Sequence, residues 1–287
     1  MNPDGLICAA HAIGGLLNHR GLTLDQRCRA ARDGGFRRIG WGLEDYRRER
    51  AAGQSDADIV ATLDRHGVAV AEVEFVMIGT AGAADGPASA ETRADLLRFA
   101  ALVGARHLVC AAGGPDAAPD VAAIVRDYRA LCEAAGEQGT LALLEAMPWS
   151  RISTLAAAAE VVAAAGHPAG GVMLDTWHFH RVGGVPDDVL AVPAAMIRLI
   201  QISDAAAPVG DLFEDTIKRR LFPGDGSFAL VDLIAALARH GVRAPVSVEV
   251  IGEAADRLPP ADMARRSFTS TADVLAAAGY EPEFAGL

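Results

Sequence analysis

The sequence predicts an α/β protein, a single (β/α)8 TIM barrel spanning residues 1–287, and three observations lead there. Eight short apolar runs alternate with helical stretches. The runs lack polar alternation, as parallel strands covered on both faces require. Helical stretches close on Gly just before a run begins: Asp64-Arg65-His66-Gly67 precedes Val68–Phe75, and Arg239-His240-Gly241 precedes Val246–Val250.

In chain order the runs are Leu6–His11, Arg37–Trp41, Ala69–Phe75, His107–Ala111, Leu141–Glu145, Gly171–Asp175, Ile197–Ile202 and Val246–Val250. Between them, Ser55 is placed to N-cap a helix over Asp56–His66. Ser153 or Thr154 can start the Ala-rich helix that ends at Gly166. Gly79–Pro87 reads as a flexible loop after the third run, and Ala205–Asp225 as a long loop after the seventh. Both fall where barrel active-site loops belong. The tail after Gly279 reads as weakly structured. The alternative architecture, an open doubly wound sheet, calls for a Gly-rich phosphate loop after an early strand, and Gly14-Gly15 matches that poorly.

Composition narrows the function. At 287 residues and 51% hydrophobic, the chain can bury a sizeable core. A net charge of −11, with no concentration of Lys and Arg, argues against a nucleic-acid partner. Cys8, Cys28, Cys110 and Cys132 form no CxxC pair, so reduced core thiols are expected. The apolar patch Leu6–Leu17 is short and has no basic region before it, and no stretch is long enough for a membrane span. A cytoplasmic protein is the expectation.

In a barrel of this kind, polar residues at the C-terminal strand ends face the active site. The fifth run ends in Glu145, the sixth in Asp175, the seventh reaches Gln201 and the eighth carries Glu249. Three carboxylates buried together are strongly unfavourable unless a positive charge sits among them. A divalent cation meets that need. All-oxygen ligation favours Mg2+ or Mn2+, with Zn2+ or Co2+ as alternatives. Around this set, Trp149 and Trp177 are candidate pocket walls. His11, ending the first run, can point into the mouth, and of Glu72 and Glu74 the latter is taken to face the site. Asp204 reads as a loop anchor and His107 as structural.

The segments Leu174-Asp175-Thr176-Trp177-His178, Ile200-Gln201-Ile202-Ser203-Asp204, Arg220-Leu221-Phe222-Pro223-Gly224-Asp225-Gly226 and Ser247-Val248-Glu249 resemble the xylose-isomerase-like TIM-barrel superfamily. That group holds sugar epimerases, inosose-handling enzymes and 3-dehydroshikimate dehydratases. The resemblance implies that Glu145, Asp175, Gln201 and Glu249 are the metal ligands. It implies that His178 is a base or hydrogen-bond donor near the substrate, and that Arg220 contacts an anionic or hydroxyl group of it. Many epimerases and isomerases of the group carry His at the third ligand position. Gln201, Glu145-Ala146-Met147-Pro148-Trp149 and the Arg-x-x-Pro-Gly loop look more like the dehydratase branch.

The leading expectation is therefore a metal-dependent isomerase or epimerase that acts on a small sugar, keto-sugar or cyclitol through an enediolate. Glu145 or Glu249 takes and returns the proton. The alternative is a lyase in which His178 takes the proton and a β-hydroxyl leaves as water. An endonuclease-IV-like DNA repair enzyme would need more His ligands and a basic groove. A non-catalytic binding barrel would not need oxygen donors at all four ligand positions. The expected partner is a small polyhydroxylated substrate, with no nucleic acid and no membrane, and homo-oligomer assembly is left open.

Overall fold

The computed structural model describes residues 5–14, 21–79, 90–113 and 120–284. Eight strands follow one another: β1 (Leu6–Cys8), β2 (Arg38–Gly42), β3 (Ala69–Ile78), β4 (His107–Ala112), β5 (Leu141–Glu145), β6 (Gly170–Asp175), β7 (Ile197–Ile202) and β8 (Val246–Val248). Each pairs in parallel with the next, and β8 pairs back onto β1, so the sheet is a closed barrel. Closure excludes the open-sheet alternative. Outside it run α1 (Ala10–Gly14), α2 (Leu24–Asp33), α3 (Leu43–Ala51), α4 (Asp56–His66), α5 (Ala90–Val103), α6 (Val121–Glu137), α7 (Leu155–Ala165), α8 (Thr176–Arg181), α9 (Leu212–Lys218), α10 (Leu230–His240) and α11 (Pro260–Ala278).

The helix boundaries follow local chemistry. Ser55 and Asp58 form a capping box that starts α4, and Thr154 accepts from Ala157 N–H to start α7. Gly67 ends α4 at φ 61°, a left-handed conformation that disfavours a side chain. The anticipated helix–Gly–strand punctuation is thus present.

Side chains alternate across a strand, so residues two apart share a face. Ile7, Ala71, Val109, Leu143, Met173 and Leu199 form a buried cluster of their own, an apolar layer inside the barrel. Two residues beyond Leu143, Met173 and Leu199 come Glu145, Asp175 and Gln201. The same alternation that fills the barrel therefore delivers polar side chains to its C-terminal mouth.

Four sequence expectations need correction. The first strand stops at Cys8 rather than His11, because Ala10 onward turns into α1 and carries His11 with it. The last strand stops at Val248, so Glu249 stands just past the ladder, its N–H donating to Ile202 O at 3.1 Å. The long loop over Ala205–Asp225 contains α9, whose start is capped by Asp211 accepting from Glu214 N–H. The tail is anchored: Phe284 lies beneath the apolar layer, 5.6 Å from the His107 ring, with the Arg38 guanidinium 4.3 Å from its centroid. Gly15, residues 80–87 of the third-run loop and the last residues of the tail lie outside the described residues.

Cys8, Cys28, Cys110 and Cys132 are buried and free. Burial pushes the Cys8 and Cys28 thiols up to about 12. The folded protein should accordingly yield none of these four thiols to a water-soluble disulfide reagent at neutral pH, and all of them after denaturation. Rapid labelling of the native protein would contradict this packing.

Candidate functional site

The site is built on Asp175, the last residue of β6 and the N-cap of α8. Its Oδ1 accepts from the backbone N–H groups of Trp177 at 2.6 Å and His178 at 3.1 Å. This capping role fixes the carboxylate and leaves Oδ2 facing the mouth. There Arg220 Nη1 approaches to 2.8 Å and His178 Nε2 to 3.8 Å. Because α8 begins at Asp175, His178 lies one turn on, where its ring returns over the same opening.

Two groups of side chains overlap at Asp175. In one, Glu145, Asp175 and His178 each offer a ligand atom within 4.8 Å of the others, and His178 Nε2 is 3.3 Å from Glu145 Oε1. In the other, Arg220 Nη1 lies 3.2 Å from Glu249 Oε2 as well as beside Asp175. Gln201 places one end of its amide 2.8 Å from Asp175 Oδ2 and 3.2 Å from Glu249 Oε2. With its nitrogen there, the amide donates to both carboxylates. With its oxygen there, three oxygens face one another, a repulsion that a cation or a proton among them relieves. Among the described residues, the group whose ligand atoms lie close enough together for a divalent ion is Glu145, Asp175 and His178, and Gln201 and Arg220 connect Asp175 to Glu249 beside it. Membership of His178 in the ligand-competent group was not foreseen from the sequence; its spacing of three from Asp175 was the available signal.

All of these groups are at most 5% exposed, which gives the charges their leverage. Burial foremost, then Asp175 and Glu145, pushes Glu249 up to about 7 against the opposing pull of Arg220. Burial also acts to raise Asp175, but Arg220 and His178 outweigh it and hold the carboxyl below its usual range. Arg220 is itself oriented by Thr216 Oγ1, which accepts from Nε at 3.1 Å and from Nη2 at 2.9 Å. Asp204 anchors the loop that carries Arg220, accepting from the N–H groups of Ala205, Gly224 and Phe228.

The other sequence candidates divide. Trp149 packs edge-on against the His178 ring at 5.1 Å and covers that side of the mouth. Trp177 is fully buried behind these groups, its ring 5.3 Å from that of His178, with the guanidinium of Arg220 5.5 Å and that of Arg181 5.1 Å from its centroid. Adjacent helix positions point in different directions, so only one of Trp177 and His178 can face the opening. His11 Nε2 lies 3.8 Å from Glu74 Oε1, which places this pair on the β1–β3 side of the mouth. Glu74 stands on the mouth side, and Glu72 joins it on the same face. They are two apart on one strand and both face inward, Glu72 one layer deeper, where Ser247 Oγ donates to its Oε1 at 2.7 Å. His180 is structural, with Nδ1 2.7 Å from Thr176 O and its ring stacked on Phe228.

Residues 28–273 match the family described as xylose isomerase-like TIM barrel. A 3-dehydroshikimate dehydratase of Pseudomonas putida is 33% identical over 147 residues, 51% of this chain and 23% of that protein. An inosose isomerase of Halalkalibacterium halodurans is 31% identical over 123 residues, 42% of this chain and 43% of that protein. The matches therefore span less than half the length of either relative. A xylose isomerase-like TIM barrel/4-hydroxyphenylpyruvate dioxygenase fusion protein of solved structure shares the fold at a TM-score of 0.81 and 22% identity, covering 99% of this chain and 46% of that one. No helix among the described residues is long and apolar enough to cross a membrane.

Glu72 links the site to stability. Burial pushes its carboxyl up from 4.5 to about 8; the Ser247 hydrogen bond opposes the rise, and Glu249 and Glu145 add to it. A raised folded-state value means that the folded protein holds the proton more tightly than the unfolded chain does. Stability is then lost as pH climbs from the ordinary carboxyl range through the folded value. Glu72→Gln carries no such proton and should be the more stable form at pH 8, with the difference closing towards pH 4.5 at no more than about 1.4 kcal/mol per pH unit. Denaturant titrations in chelator at several pH values measure it. Parallel pH dependences for the two proteins would contradict it.

Proposed function

The chain belongs to the xylose isomerase-like TIM barrel family, and from that premise we propose that it is a divalent-metal-dependent enzyme that removes the proton beside the carbonyl of a small polyhydroxylated keto compound. What supports this reading is that Glu145, Asp175 and His178 offer ligand atoms within 4.8 Å of one another at a buried mouth, where Gln201 and Arg220 connect Asp175 to Glu249. When bound, a divalent ion supplies Lewis-acid polarisation of the carbonyl and offsets the charge that develops on its oxygen. The oxygen-rich donor set favours Mn2+ or Mg2+.

This chain's own residues do the rest. His178 Nε2 is aimed into the mouth and takes the proton; Glu145 Oε1, 3.3 Å away, steadies the imidazolium that results. Trp149 keeps water from that side of the ring. Arg220 offsets the negative charge of Asp175 and Glu249 and orients the substrate oxygen closest to them. In the elimination reading, the bond to the β-hydroxyl then breaks, the hydroxyl takes the proton from the His178 imidazolium and leaves as water, and a conjugated double bond remains. Gln201 at the third ligand position and the 33% likeness to a dehydratase support this outcome. Isomerisation or epimerisation is the second reading. There Glu249, its carboxyl raised to about 7 chiefly by burial, accepts the proton and returns it to the neighbouring carbon in isomerisation, while in epimerisation the proton is delivered to the same carbon from the opposite face by Glu145. The likeness to an inosose isomerase supports it.

With Mn2+ supplied, 3-dehydroshikimate should give a conjugated product that absorbs in the ultraviolet, and an inosose should instead exchange its α-hydrogen with deuterated water. His178→Ala should lower kcat on the productive substrate by roughly 10²–10⁴-fold. Glu145→Gln and Glu249→Gln should lose bound metal and turnover together. Full turnover by wild-type protein in chelator would contradict the reading.

A further inference from the structure

We infer that Glu72, acting through Ser247, is the positioning residue for Glu249. The inference rests on the metal reading above. Glu72 belongs to β3 and Ser247 to β8, strands that do not pair with each other, and both side chains are fully buried. Their 2.7 Å hydrogen bond therefore crosses the barrel interior instead of following the sheet. Ser247 stands two residues before Glu249, on the same inward face. It is flanked in the sheet by Ile7 of β1 and Gln201 of β7. One hydroxyl thus holds the ridge that carries Glu249 and adjoins Gln201, two of the four proposed ligands.

Glu249 needs such a hold. Regular pairing of β8 ends at Val248; past it, Glu249 N–H donates to Ile202 O on the β7 side, while Val248 O and Ile251 O accept from the N–H groups of Ala9 and Arg220. At its carboxylate, Glu249 meets Arg220 Nη1 and the Gln201 amide, each at 3.2 Å. Both contacts fall on one oxygen, Oε2, so the carboxylate is held from a single side. The fixed point lies two residues back, at Ser247.

The barrel makes room for this contact. A register shift between Ile39 and Gly40 sets Glu72 opposite Gly40. A Cβ at Gly40 would stand 2.5 Å from Glu72 Oε1 and 2.7 Å from the backbone nitrogen of Ala10, so only glycine leaves space for the carboxyl. Glu72 Oε2 meanwhile has no hydrogen-bond partner among the described residues although it is buried. A half-satisfied buried carboxyl costs stability. Packing alone would be served better by an apolar residue, which points to placement as the role of Glu72.

Titrating Mn2+ into metal-stripped protein by calorimetry, without substrate, tests this. Ser247→Ala removes one hydroxyl with little change of volume, and Glu72→Ala removes the acceptor. Each should weaken Mn2+ binding roughly 10–100-fold, the range found when groups that orient metal ligands are lost. Glu72→Gln keeps an acceptor for Ser247 and should bind as wild type does. A folded Ser247→Ala protein that binds Mn2+ as tightly as wild type overturns the inference, as does Glu72→Gln weakened as much as Glu72→Ala. Wild-type protein that takes up no Mn2+ overturns the metal reading and the inference with it, so the two failures are distinguishable.

Discussion

The structure depends on the mutual repulsion of carboxylates gathered in one buried space. Two like charges 4 Å apart cost about 4 kcal/mol even at an effective dielectric constant near 20. Glu145, Asp175 and Glu249 are each at most 5% exposed, with Glu72 and Glu74 on the β3 side of the same interior. The protein answers with Arg220, whose guanidinium lies against both Asp175 and Glu249, and with donors drawn from backbone and amide groups. Where these do not suffice, protons remain: Glu249 is pushed up to about 7 and Glu72 to about 8. A divalent cation, as proposed, would be the more complete answer, and Glu145, Asp175 and His178 offer ligand atoms close enough together to take one.

The barrel supplies the geometry at little conformational cost. Strand alternation aligns an apolar layer beneath a polar one, so the acids stand on a packed floor formed by Leu143, Met173 and Leu199 among others. The loops add orientation. Asp204 ties down the segment that carries Arg220, Thr216 fixes the guanidinium, and Trp177 fills the space beneath it. Of the site groups, His178 is the one placed by a helix start, through the N-cap that Asp175 itself provides.

Much of this was legible in the sequence because it rests on period and punctuation. Glu145, Asp175 and Gln201 are recognisable as strand-end residues since each follows an apolar run, and the Gly that closes α4 marks where β3 must begin. What escaped depends on neighbours that a one-dimensional reading does not contain. Trp177 and His178 are adjacent, and only the packing of α8 decides which one sees the mouth. Helix α9 is short and follows a stretch rich in Ala, Pro and Gly, so its Asp211 cap was the only cue. Glu72 was passed over although the i, i+2 rule put it on the same face as Glu74; its partner Ser247 is distant in sequence, and their contact exists only once the barrel closes.

The most direct measurement is the anomalous scattering of a crystal soaked in Mn2+. The account predicts one strong peak roughly 2.0–2.3 Å from an oxygen of each of Glu145, Asp175, Gln201 and Glu249. A peak that contacts only some of them, or that lies elsewhere on the barrel, would contradict it.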